Sequence, residues 1–190
     1  MVDGVILAGG YSKRTGVMKM SLKLNSKTVI QHTVESMINV CENIIVVCGY
    51  KAEEVYDLVK SYKKVQVYYN KNYPKGMFTS VKEGIKHVKN DRFFLTPGDY
   101  PKLNKNIYET LLKYKENIVI PAFGNKKGHP VLMNSSLISD ILLEPDTLSL
   151  NYFINKREYR IVEINDDSII NDIDTLEDYE NIKKYFKGGE

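Results

Sequence analysis

Three short stretches of this 190-residue chain concentrate the residue types that do chemistry. The first is Leu7-Ala8-Gly9-Gly10-Tyr11-Ser12-Lys13-Arg14-Thr15-Gly16-Val17-Met18-Lys19. Its glycines let backbone N–H groups approach an anion without Cβ interference. Ser12 adds a hydroxyl donor, and Arg14 and Lys19 add positive charge for phosphate oxygens. The spacing is neither GxxxxGK[ST] nor GxGxxG. The length of the loop and the Arg14/Lys19 pair favour phosphate binding over an ordinary turn with surface lysines. The second stretch, Thr96-Pro97-Gly98-Asp99-Tyr100-Pro101, fixes a carboxylate between Pro-Gly and Pro. That suits a hard cation such as Mg²⁺, although an aspartate that only shapes a turn has the same look. In the third, Asn171-Asp172-Ile173-Asp174-Thr175, an extended backbone points both carboxylates to one side. One of them is then placed to join Asp99 on a metal; the alternative is that both favour the N-terminus of a following helix.

These stretches need a scaffold, and the apolar pattern supplies one. Val2–Leu7, Asn43–Cys48, Val65–Tyr69, Arg92–Thr96 and Asn117–Pro121 read as strands. Between them Lys27–Val40, Ala52–Tyr62, Phe78–Val88 and Asn104–Tyr114 read as helices, the last with Asn104 as N-cap. Alternating strands and helices with near-continuous apolar strands predict an α/β fold, a three-layer sandwich around a mostly parallel sheet. Pro130–Met133 reads as a strand at the edge of the sheet, Tyr159–Ile164 as another, and Thr175–Phe186 as a terminal helix opened by a near capping box of Thr175 and Asp178. Ligands of such sheets bind beyond the carboxyl ends of the strands, where the glycine loop and Asp99 fall. Gly76-Met77-Phe78-Thr79-Ser80 opens a helix whose amides and hydroxyls can hold a ligand. His129, in Gly128-His129-Pro130, looks exposed, whereas His32 and His87 fall on helices.

Composition narrows the classes. The 43% apolar and 27% charged residues are those of a globular domain, and residues 1–190 are expected to form one domain. With 27 basic and 24 acidic residues the net charge of +3 is too mild to argue for a nucleic acid or a membrane surface as partner. No apolar run approaches the roughly 18–20 residues that span a bilayer, and the start lacks signal-peptide character, so a cytoplasmic location is expected. Cys41 and Cys48 flank an apolar run without metal-ligand spacing and are expected to be buried thiols in a reducing compartment.

Taken together, the motifs carry a resemblance. Leu7-Ala8-Gly9-Gly10-x-Ser12-x-Arg14-x-Gly16-x-x-Lys19 resembles the signature loop of nucleotidyltransferases with a Rossmann-like, GT-A-like fold. Gly76-Met77-x-x-Ser80-x-x-x-Gly84, Gly98-Asp99-x-Pro101, Gly128-His129-Pro130-Val131-Leu132 and Asp172-Ile173-Asp174-Thr175-x-x-Asp178-Tyr179 follow in the order of the molybdenum cofactor branch, closest to its cytidylyltransferases. The resemblance implies transfer of a nucleoside monophosphate from a nucleoside triphosphate to the terminal phosphate of molybdopterin, with release of pyrophosphate. It implies nucleotide contacts from Leu7, Ala8, Gly9, Gly10, Ser12, Arg14, Lys19 and Asn70, with Lys19, Arg14 and Asp99 as the catalytic set. It further implies Mg²⁺ or Mn²⁺ on Asp99 and Asp174, an acceptor side lined by Ser80 and His129, and a division of the single domain into a nucleotide-binding half (1–101) and an acceptor-binding half (102–190). The chain departs from the pattern at Thr15 and Met18, and Gly9 stands where cytidylyl members carry alanine, as in guanylyl members. CMP is favoured over GMP because more of the chain matches the cytidylyl pattern.

Three other functions share parts of this pattern. A sugar-phosphate or polyol-phosphate nucleotidyltransferase would keep the loop and metal but bind another acceptor. A cofactor-binding chaperone for a molybdenum hydroxylase would keep the acceptor site and lose turnover. A dinucleotide-binding dehydrogenase is disfavoured by the missing GxGxxG.

Overall fold

The computed structural model of the chain describes residues 1–10 and 18–188. Its strands are β1 (Val2–Ala8), β2 (Lys23–Leu24), β3 (Lys27–Thr28), β4 (Ile44–Cys48), β5 (Val65–Tyr69), β6 (Arg92–Pro97), β7 (Ile118–Phe123), β8 (Lys126–Lys127), β9 (Val131–Asn134) and β10 (Arg160–Glu163). Its helices are α1 (Val29–Ile38), α2 (Ala52–Val59), α3 (Met77–Ile85), α4 (Lys105–Leu112), α5 (Ile138–Leu143), α6 (Leu150–Asn155) and α7 (Leu176–Lys187). The main sheet runs β10-β7-β9-β6-β1-β4-β5, with β8 paired to β7. β5, β4, β1 and β6 are mutually parallel, as are β10 and β7, and β9 is antiparallel to both its neighbours.

The period of two sorts side chains between the two faces of the sheet. On one face, Val2, Ile6 and Ala8 of β1 join Ile30, Val34 and Met37 of α1, Val55 and Val59 of α2, and Ile107 and Leu111 of α4. On the other, Val5 and Leu7 meet Phe78, Val81 and Ile85 of α3, Ile141 of α5 and Phe153 and Ile154 of α6. These are the expected three layers. The caps follow the sequence: Asn104 accepts a bond from the Asn106 amide, and Thr175 and Asp178 form a complete capping box.

Two expectations are corrected. β9 is not an edge strand; it lies between β6 and β7. Val131, Leu132 and Met133 are all buried, which is what an interior strand requires, whereas in β10, the true edge, only Val162 is buried. His87 lies just beyond α3, stacked on Tyr68 with ring centroids 3.4 Å apart. A β2–β3 hairpin, turned at Asn25 with φ of 56°, precedes α1, so Lys27–Thr28 form a strand and not the first turn of the expected helix. The hairpin carries Leu24, which with Val29 packs on Ile173, Tyr179 and Ile182. That small cluster pins the approach to α7, and with it the third acidic stretch, against the main body.

Candidate active site

The carboxyl ends of β1 and β6 meet where the Gly98 amide donates to the Leu7 carbonyl at 2.9 Å. Gly98 has no room for a side chain: a Cβ there would stand 2.8 Å from Met20 Sδ and 2.9 Å from Ile30 Cδ1. The next residue, Asp99, is held by its own carbonyl, which accepts the Ile173 amide at 3.1 Å. That single bond ties the two acidic stretches together. One carboxylate oxygen from each of Asp99, Asp172 and Asp174 lies within 4.8 Å of the others. Lys19 reaches into the group from a short 3₁₀ turn, Lys19–Ser21, with Nζ 2.8 Å from Asp174 Oδ1 and 3.4 Å from Asp99 Oδ2.

The electrostatics are those of crowded negative charge. Burial pushes the Asp99 carboxyl up to about 6, Lys19 pulls it down, and the neighbouring Asp172 charge pushes it further up. Asp172 is raised too, first by burial and then by Asp174. Among the described residues Asp99 Oδ1 is buried without a hydrogen-bond partner. A buried charged oxygen without a donor is costly unless something supplies positive charge. Three hard oxygen donors, one of them orphaned, fit a divalent cation such as Mg²⁺ or Mn²⁺.

Gly9 and Gly10 follow the end of β1, whose Leu7 carbonyl holds the Gly98 amide. Among the described residues nothing lies within 4 Å of a Cβ at Gly10, whereas Gly9 is backed by protein: a Cβ there would lie 3.3 Å from Ser80 Oγ and 3.4 Å from the Gly49 amide nitrogen. Leu7 and Ala8 are buried in β1, so it is their backbone that faces the loop end. Asn70 is also buried. Its Nδ2 donates to Thr79 Oγ1 at 2.8 Å and Ser80 Oγ at 2.9 Å, and its Oδ1 accepts the Asn72 amide. Asn70 therefore braces Ser80, which backs Gly9, and it also lines a cavity of about 340 Å³ with Asn72 and Thr79. Ser12, Arg14 and Gly16 lie outside the described residues.

Ser80 and His129, both expected on the acceptor side, occupy different places. Ser80 stands behind Gly9, while His129 lines a cavity of about 260 Å³ with Leu7, Met77, Phe78, Val81, Leu95, Pro97, Val131, Ser149, Leu150, Asn151 and Ile154. His129 is half-buried rather than exposed, because Gly128 and His129 pack on the Ile169 backbone. A Cβ on Gly128 would run into the Ile169 carbonyl, and the His129 amide donates to that same carbonyl at 2.8 Å. Burial lowers the imidazole to about 4, against a contact with the Leu95 backbone, so the ring is neutral at pH 7. Among the described residues its Nδ1 is buried without a hydrogen-bond partner. Its ring meets Tyr100 edge to face, with centroids 5.0 Å apart. The apolar members of this cavity escaped the sequence reading because strand and helix periodicity mark them only as core.

Gly9 and Gly10 at the end of the first strand, a lysine among three carboxylates and an adjacent apolar cavity thus gather at the carboxyl ends of the strands of an α/β protein. The model of the MobA-like NTP transferase domain matches residues 4–156, and the chain belongs to that family and is a nucleotidyltransferase. It is 27% identical over 186 residues to the molybdenum cofactor cytidylyltransferase of Escherichia coli K12, covering 97% of each chain. It is 25% identical over 201 residues to a probable molybdenum cofactor guanylyltransferase of Natranaerobius thermophilus, covering 97% of this chain and 96% of that one. In fold it is similar to a nucleotidyl transferase from Methanothermobacter thermautotroptrophicus, with a TM-score of 0.86, 20% identity, and coverage of 100% of this chain and 99% of that one. Among the described residues no helix is long and apolar enough to cross a membrane.

Proposed function

We propose that this chain transfers a nucleoside monophosphate, CMP in preference to GMP, from its triphosphate to the terminal phosphate of molybdopterin, in the cytoplasm. The observation that carries the reading is the Asp99–Asp172–Asp174 cluster with Lys19 at the end of β1, beside the cavity lined by His129. An acceptor phosphate oxygen attacks the α-phosphorus. A new P–O bond forms, the bond from the α-phosphorus to its bridging oxygen breaks, and pyrophosphate leaves with that electron pair. Little covalent work falls to the protein, so positioning and charge stabilisation dominate.

Gly9 and Gly10 present backbone amides to the nucleotide, with Ser12 and Arg14 assigned to its phosphates. Lys19 offsets charge on the α-phosphate. Asp99 and Asp174, with Asp172 beside them, hold Mg²⁺ or Mn²⁺, which when bound neutralises phosphate oxygens as a Lewis acid. Neutral His129 and the apolar walls receive the acceptor's ring system. The cytidylyl relative of Escherichia coli supports the preference for CMP.

The test is pyrophosphate release from CTP and from GTP with Mg²⁺ and molybdopterin, run beside a panel of sugar and polyol phosphates. Release with molybdopterin, faster from CTP, is the expected result. Turnover with a sugar phosphate alone overturns the acceptor. Tight molybdopterin binding without any turnover overturns catalysis and leaves the carrier role for a molybdenum hydroxylase.

A further inference from the structure

The carboxylate cluster is anchored from an unexpected side. α1 packs its apolar stripe, Ile30, Val34 and Met37, on the sheet, yet Thr33 sits fully buried beside that stripe. Its hydroxyl lies 3.0 Å from the Gly98 carbonyl and 3.3 Å from the Val29 carbonyl one turn back. A hydroxyl has one proton to donate, and the shorter contact is to Gly98. β6 ends at Pro97, so the sheet ladder no longer serves that carbonyl. Gly98 is thus fixed at its nitrogen by the Leu7 carbonyl and at its carbonyl by Thr33, and the Asp99 carbonyl is fixed by the Ile173 amide. A valine would fill the same space, so packing alone does not call for a hydroxyl here.

We propose that Thr33 is a positioning residue for the metal-binding carboxylates: its hydroxyl, clamped on the Gly98 carbonyl, holds Asp99 at the distance from Asp172 and Asp174 that a divalent cation needs. The inference rests on the reading of Asp99 as a metal ligand. Three rigid attachments around one residue leave its carboxylate little freedom, and ligand geometry of this kind degrades when a supporting hydrogen bond is lost. Thr33→Val keeps the shape and removes the donor. Thr33→Ser keeps the donor and removes a methyl.

The experiment measures Mn²⁺ affinity by electron paramagnetic resonance on the full chain without nucleotide, for wild type, Thr33→Val, Thr33→Ala, Thr33→Ser and Asp99→Asn, with melting temperatures alongside. Half-saturating Mn²⁺ for pyrophosphate release, and the KM for CTP, complete the set. Thr33→Val is expected to bind Mn²⁺ on the order of tenfold more weakly. It should need correspondingly more Mn²⁺ for half-maximal rate while the KM for CTP stays put, and Thr33→Ser should return binding to within about twofold of wild type. If Asp99→Asn binds Mn²⁺ like wild type, the metal site itself is misassigned. If Asp99→Asn loses binding while Thr33→Val, or Thr33→Ala should the valine variant not fold, binds like wild type, the role of Thr33 is overturned. A lowered melting temperature with unchanged Mn²⁺ affinity overturns it equally, since that is what mere packing predicts.

Discussion

Each end of the β1–β6 strand pair carries an aspartate, Asp3 fully buried and Asp99 half-buried, and the two are treated in opposite ways. Asp3, near the amino end of β1, accepts the Lys89 and Asn90 amides at 2.7 and 2.9 Å, Asn90 Nδ2 at 2.7 Å and Asn43 Nδ2 at 2.9 Å. Burial pushes its carboxyl up, but these four bonds outweigh burial and hold it below the usual carboxylate range. Asp99, after the carboxyl end of β6, has one oxygen buried without a partner and two further carboxylates beside it, and it is pushed up to about 6. The saturated charge has no capacity left for a ligand and serves the fold. The unsaturated one costs stability and keeps its capacity for a cation. Burial alone does not tell a structural carboxylate from a functional one; the count of donors does.

Removing the charge of Asp99 is the sharpest way to break this contrast. Asp99→Asn should slow pyrophosphate release on the order of a hundredfold or more, the several kcal/mol expected of metal-assisted charge stabilisation. Its melting temperature should not fall, because the substitution relieves like-charge crowding. A variant that turns over at the wild-type rate would remove Asp99 from the chemistry. Lys19→Ala comes next. Loss of a preorganised positive charge should lower kcat on the order of tenfold to a hundredfold, with a smaller change in nucleotide KM. An effect confined to KM would reduce Lys19 to a ground-state phosphate clamp.

At the other end, Asp3→Asn should cost about 1–3 kcal/mol of stability, the scale of leaving buried donors badly matched, while kcat per folded molecule holds. The sign with pH follows from the lowered pKa. The contribution of Asp3 is complete above its unfolded value of about 3.9 and is lost as pH falls through the lower folded value. Denaturant unfolding of wild type and variant should therefore differ most at neutral pH and converge on acidification below about pH 4. A gap that widens in acid would mean that Asp3 is not held ionised by its donors. The smallest expected effect is at Gly9. A methyl 3.3 Å from Ser80 Oγ and 3.4 Å from the Gly49 nitrogen is a tight fit that shifts Ser80 or the Gly9 backbone by a few tenths of an ångström. Gly9→Ala should therefore raise the CTP/GTP ratio of kcat/KM several-fold, within the roughly 1–3 kcal/mol that one methyl discriminates. An unchanged ratio in direct competition would show that Gly9 does not influence base choice.

Much of this was legible in the residues. The buried parallel strands, the helices between them and the caps at Asn104 and Thr175 came from local rules of period and capping, which act within a few residues. Asp99 and the Asp172/Asp174 pair were visible as candidates because rigid turns and extended backbone have local signatures. The place of β9 was misjudged because strand neighbours lie far apart in sequence, although its unbroken apolar run was the available clue. Thr33 left a fainter trace: one polar residue beside an apolar helical stripe.

The sequence by itself determined the layers of the fold and the kinds of side chain at the carboxyl ends of its strands, since propensity, periodicity and turn chemistry are encoded residue by residue. Only the tertiary structure decided which carboxylates share a site, that Lys19 reaches them, that Asn70 and Ser80 support Gly9 from behind, and that His129 is half-buried and neutral. The physical reason is range. The amide of Ile173 and the carbonyl of Asp99 are separated by most of the carboxyl-terminal half of the chain, yet they meet at 3.1 Å. Hydrogen bonding and desolvation depend on distances of that scale, which no spacing along the chain expresses.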